Sequence, residues 1–207
     1  MSKELNQARQ KLLFIFLEGK TEDVFYKKIM EKYLKTFAKK YTNLQTGTNV
    51  NTQIAKHLYH FLEDGSNSKY DLYVYAFIDR EGSRSSTPQF NEKAILEALK
   101  KQNVKTNNIK KLGAIEAIIM IESWFFYDLE GICKYINLKC TETLKKNCFN
   151  AQKFKSSDLS DLFRKGKNKK PYKKGEKSFL NCLDIEKIYK NCSDLRVGIE
   201  DIIKDIS

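Results

Sequence analysis

Histidine is almost missing. His57 and His60 are the only two in 207 residues, which argues against nucleophilic or acid–base chemistry built on an imidazole. They fall near one another on an expected helix, with no cysteine or acid at ligand spacing, and read as ordinary surface or partly buried side chains rather than metal ligands. The cysteines Cys133, Cys140, Cys148, Cys182 and Cys192 are odd in number and contain no C-x-x-C pair, so neither a disulfide framework nor a structural zinc site is expected. They read as reduced thiols of a cytoplasmic protein. There is no G-x-x-x-x-G-K loop, and the chain is not expected to hydrolyse ATP by itself. Long apolar runs are also lacking: the first, residues 12–17, is far too short to span a bilayer, and residues 1–11 lack the layout of a signal peptide. A soluble protein with no membrane partner is expected.

Aromatic residues and positive charge, in contrast, are plentiful. Thirteen Phe, eleven Tyr and one Trp make up 12% of the chain, enough to argue against disorder and for a packed core. Lys and Arg outnumber Asp and Glu by 38 to 26, a formal charge of +12 that favours phosphate-rich polymers or acidic surfaces. The length suits one domain over 1–207, with an α/β core at 1–138 and a helical portion at 139–207.

Residues 11–17 (KLLFIFL) are apolar without alternation, as in a central strand covered on both faces, and stop at Glu18-Gly19. Helical spacing of Val24, Phe25, Ile29, Tyr33, Leu34 and Phe37 predicts a helix continuing to about Lys40. Ile54, Leu58 and Phe61 mark a second helix ending near Asp64-Gly65. Residues 72–78 (LYVYAFI) form the next predicted strand and end at Asp79-Arg80-Glu81-Gly82. After a Ser/Arg loop at 83–88 and a helix at about 91–101, a third strand is predicted at 117–121, running into Glu122 and a helical stretch to about Tyr135. Trp124 and Phe125 read as core anchors behind Glu122. Helices are predicted near 158–163, 184–189 and 194–206. In the last, Leu195, Ile199, Ile202, Ile203 and Ile206 form one apolar stripe. Strands alternating with helices predict a mostly parallel sheet flanked by helices, whose sites form at the carboxyl ends of the strands.

Acids stand at each of those ends. A single acid before a helix is commonly a partner of the helix N-terminus. Glu18, Asp79 with Glu81, and Glu122, brought to one sheet edge, make a stronger pattern, since hard divalent cations take several oxygen ligands from separate elements. Asp128 is a weaker substitute for Glu122. A second feature is the basic loop 164–177 (RKGKNKKPYKKGEK), in which Arg164, Lys165, Lys167, Lys169, Lys170, Lys173, Lys174 and Lys177 surround Tyr172. It is suited to phosphate contacts and base stacking. Lys20, Arg80 and Arg84 add positive charge near the acids.

FLEGKTED at 16–23 resembles the first motif of the Toprim superfamily, a strand delivering a glutamate followed by glycine. FIDREG at 77–82 resembles its second, an acid-x-acid pair after a strand, with Glu81 where aspartate is usual. IESWFFYDLEGI at 121–132 and YKKGEKSFLNCLDIEKIY at 172–189 resemble a small standalone Toprim-like bacterial family, domain of unknown function family 4276. The resemblance implies a Toprim-like fold and a Mg2+ or Mn2+ requirement. Glu18 would act as general acid/base or ligand, Asp79 and Glu81 as ligands, and Glu122 would complete a second metal site. Lys174 or Lys177 would neutralise the scissile phosphate. It also implies a metal-dependent endonuclease acting on DNA or RNA, the effector of an antiviral defence system that works with an ATPase partner encoded nearby. The alternative is a noncatalytic nucleic-acid or protein binding module on the same fold.

Overall fold

The structure, a computed structural model, describes residues 9–44, 49–80, 89–167 and 169–207. Glu81, Arg84 and the Ser/Arg loop at 83–88 lie outside the described residues. Strand β1 (Gln10–Leu17) is central. Its alternate residues Leu13, Ile15 and Leu17 enter one buried cluster, while Leu12, Phe14 and Phe16 enter another on the opposite face. Burial on both faces explains the unbroken apolar run.

Helix α1 (Lys20–Tyr33) buries Phe25, Tyr26, Ile29 and Met30 against the first cluster. It is shorter than its spacing predicts. Instead of continuing to Lys40, the chain turns after Tyr33 and forms β2 (Ala38–Asn43), paired in parallel with β1 from Leu12↔Ala38 to Leu17↔Asn43. The sequence AKKYTN conceals this strand because it lies at the sheet edge, where no residue needs full burial. Lysines on such an edge discourage pairing with other chains.

Helix α2 (Val50–Glu63) and helix α3 (Glu92–Lys101) cover the second face, their N-termini capped by the side chains of Asn49 and Asn91. Between them lies β3 (Tyr70–Asp79), paired in parallel with β1. The fourth strand, β4 (Ile109–Ala117), ends where the sequence reading placed a strand start. The predicted strand at 117–121 is therefore corrected: helix α4 (Ile121–Phe125) already begins there. Polar residues such as Lys110, Lys111 and Glu116 mask β4, the other edge, and Gly113 within it leaves room for the Tyr75 ring, which an added Cβ would approach to 2.7 Å. The four strands run in the order β2-β1-β3-β4 and all neighbours are parallel.

The C-terminal portion is helical: α5 (Leu129–Tyr135), α6 (Glu142–Asn147), α7 (Ser156–Lys165), α8 (Lys177–Cys182), α9 (Ile185–Asn191) and α10 (Ser193–Ile206). Leu195, Ile199, Ile202 and Ile206 of α10 are buried in the same cluster as Ile115 of β4, and Trp124 and Phe125 are buried there as expected. Gly198 allows this docking, since an added Cβ would meet Ile115 Cδ1 at 2.5 Å. Among the described residues no helix is long and apolar enough to cross a membrane.

Candidate functional site

From β1 the chain crosses to β2 on one side, then returns past β1 to β3 on the other. Connections leaving in opposite directions open a crevice at the carboxyl ends of β1 and β3, the usual ligand position in such sheets. Glu18 follows β1 and Asp79 closes β3. The backbone N–H of Asp79 donates to Glu18 Oε2 at 2.9 Å. Asp79 Oδ1 in turn accepts the N–H of Ile121 at 2.9 Å, which fastens the start of α4 to the end of β3. Glu122 follows, 1% exposed, in the first turn of α4 rather than at the predicted strand end. Its Oε1 accepts the Tyr172 hydroxyl at 3.0 Å, whereas Oε2 is buried without a hydrogen-bond partner.

Glu22, which the sequence reading did not single out, joins these three. It lies in the first turn of α1, four residues after Glu18, where an acid is ordinary at a helix start and carries no signal of its own. Gly19 lies close to it: an added Cβ would stand 2.7 Å from Glu22 Oε2. Burial is the largest cause pushing Asp79 up to about 9, reinforced by the charges of Glu22, Glu122 and Glu18. Burial also raises Glu22 to about 7; Glu122 and Glu18 push it further up, while its own backbone N–H and the Lys174 ammonium act in the opposite direction. Tyr26, fully buried beneath the acids, has a hydroxyl with no hydrogen-bond partner, and its phenol is pushed well up by burial and then by Asp79 and Glu22.

The basic segment reaches the same place. Gly175 N donates to Thr21 Oγ1 at 3.0 Å, and Gly175, at φ +72°, lies so close to Lys20 that an added Cβ would come within 2.7 Å of that residue's Cβ. Of the two candidate lysines, Lys174 is the one whose charge is felt at Glu22. Lys177 opens α8. Lys20, Lys165, Lys167, Lys169, Lys170, Lys173, Lys174 and Lys177 are all exposed. Arg164 is exposed too, paired at 2.7 Å with Asp161.

Three expected roles do not match the placement. Tyr172 does not present its ring for base stacking; the ring lies edge-on to Phe163 and Phe179, at 5.4 and 5.9 Å, and burial followed by the nearby Glu122 charge raises its phenol, keeping it a donor. Arg80 faces away from the acids, in an ion pair with Glu116, whose other oxygen accepts Phe90 N at 2.9 Å. Asp128 is a structural cap, accepting Gly131 N at 3.2 Å and Asp184 N at 2.8 Å.

Glu18, Glu22, Asp79 and Glu122 offer only oxygen donors, the chemistry that hard divalent cations take, and the unpaired buried Glu122 Oε2 fits such an ion. Among the described residues no three His, Cys, Asp or Glu side chains are already arranged to hold a metal ion, so enclosing one requires side-chain rotation. No curated protein and no solved structure matches the chain. A family model described as Domain of unknown function (DUF4276) matches residues 17–197, a span that takes in the acids of β1, β3 and α4 and the whole lysine segment, and the chain belongs to that family.

Proposed function

We propose that the chain is a Toprim-like, divalent-cation-dependent nuclease that hydrolyses phosphodiester bonds in DNA or RNA. The observation that carries this reading is the gathering of four mutually repelling, largely buried carboxyls at the carboxyl ends of β1 and β3 and the start of α4, with a lysine-rich segment tied over them. Glu18, Asp79 and Glu122 would hold Mg2+ or Mn2+, joined by Glu81 from beyond the described residues. Bound there, the cation supplies charge neutralisation at a phosphoryl oxygen and a more acidic water. Glu18 serves as ligand or as general acid/base. Lys174 and Lys20 engage the phosphate backbone at the rim, and Lys169, Lys170 and Lys173 extend the contact.

The same proposal makes the chain the effector of an antiviral defence system paired with an ATPase. That part rests on the sequence resemblance, and co-purification with the product of a neighbouring ATPase gene tests it. The catalytic part is tested by incubating wild type and Asp79→Ala with labelled DNA, RNA and bulk tRNA in Mn2+, Mg2+ or chelator. Cleavage that needs metal and is lost in the variant is expected.

A noncatalytic nucleic-acid or protein binding module is the second reading. It is favoured by the acids among the described residues not being arranged round one point as they stand. Wild type that retains oligonucleotides but cuts none of them with any metal, alone or with its partner, would establish this second reading instead.

A further inference from the structure

Tyr172 belongs to the lysine segment yet spends its hydroxyl inside the acid cluster. Its ring is fixed from several sides: Phe163 and Phe179 meet it edge-on, those two rings meet each other at 5.0 Å and 85°, and Tyr135 packs on both. A ring held this way fixes its hydroxyl in space, and the hydroxyl donates to Glu122 Oε1 at 3.0 Å across 50 residues of chain. Glu122 is itself held at the start of α4, which Asp79 secures through Ile121 N. With Oε1 occupied, the carboxylate is oriented so that Oε2 is the oxygen left without a partner, although it is as fully buried as the rest of the side chain.

We infer that Tyr172 is a positioning residue, which orients Glu122 so that Oε2 is the oxygen presented to the divalent cation. The inference rests on the metal-site reading above and adds a residue that the acid motifs do not contain. It also gives the lysine segment a second task. Besides offering charge to a phosphate polymer, that segment carries the group that fixes one wall of the metal site.

Hydrogen-bond partners of metal-bound carboxylates commonly alter metal affinity by about 10- to 100-fold when removed. Tyr172→Phe keeps the ring contacts and deletes the hydroxyl, which serves Glu122 and also meets the Thr21 side chain. Tyr135→Phe is the matched control: its hydroxyl anchors the same segment through Glu176 Oε1 at 2.9 Å and lies beside Ser178 Oγ at 2.8 Å, so it loosens the segment without touching Glu122. The experiment is a titration of each protein with Mn2+, reading free Mn2+ by electron paramagnetic resonance, with melting curves in chelator to monitor folding. Wild type is expected to bind Mn2+, Glu122→Gln and Tyr172→Phe to bind it about tenfold or more weakly, and Tyr135→Phe to match wild type. Wild-type affinity in Tyr172→Phe overturns the inference. So does an equal loss in Tyr135→Phe, or unchanged binding in Glu122→Gln. Wild type that takes up no Mn2+ sinks the metal-site reading itself, a result distinct from these.

Discussion

Asp79 closes a strand whose apolar face is buried, and its carboxyl therefore meets three other acids in a place that water scarcely reaches. With its folded value raised to about 9, well above an ordinary aspartate, the folded protein holds a proton that the unfolded chain releases at much lower pH. The sign follows from that difference: this contribution to stability is complete in acid and is lost as pH rises toward 9, with Glu22 adding to the loss up to about 7. Melting temperature measured without metal is expected to fall between pH 5 and 9 more steeply in wild type than in Asp79→Asn, which has no proton to lose. Equal slopes would show that Asp79 is not buried among like charges. Tyr26 offers a second test at this scale. A buried hydroxyl without a partner is a penalty of about 1–3 kcal/mol, so Tyr26→Phe should leave stability in chelator unchanged or raise it by about 1 kcal/mol in urea unfolding. A clear loss of stability would mean that the hydroxyl is satisfied after all.

Among the elements, β1 and β3 are legible in the sequence because both faces of each are covered, and their runs 12–17 and 72–78 are apolar throughout. The edges are not. AKKYTN has no alternation that requires burial, and IKKLGAIEA mixes inward Leu112 and Ile115 with lysines at the exposed margin, so the helical spacing runs on from α1 into β2 and the strand pattern shows only from the last residue of β4 onward. The site survived these errors because the acids follow the elements: Glu18 and Asp79 mark the ends of the two legible strands, and Glu122 sits just past the misplaced one. Glu22 is hidden because nothing in TED distinguishes a buried acid from one that merely favours a helix start, and the inward role of Tyr172, whose ring the sequence offers for base stacking, because its aromatic partners lie on α7 and α8, brought together only by the tertiary fold. The apolar stripe of α10 is legible in its spacing and faces the core, with Ile203 at its margin. Since Ile202 is fully buried there, Ile202→Ala should cost about 2–5 kcal/mol in denaturant unfolding, whereas Val197→Ala on the exposed side should change it little.

Over the whole molecule, the net charge is +12 and a segment of exposed lysines lies against the carboxyl cluster, so attraction for a polyanion and repulsion within the site are spatially adjacent. Binding of an oligonucleotide should therefore weaken with salt, with the logarithmic slope falling by about 0.7 for each single-strand phosphate contact removed. Replacing Lys169, Lys170, Lys173 and Lys174 by Gln is expected to flatten that slope, measured by fluorescence anisotropy across a salt series; a slope that stays the same would place the nucleic-acid contact elsewhere. Whether a divalent cation binds among these acids, as proposed, is open to direct observation. Crystals soaked in Mn2+ and measured near the manganese absorption edge are expected to show an anomalous peak between the carboxylates of Glu18, Asp79 and Glu122, at about 2.0–2.6 Å from their oxygens. A protein that crystallises with these acids ordered and yields no peak among them, or only peaks at the surface, would contradict the account.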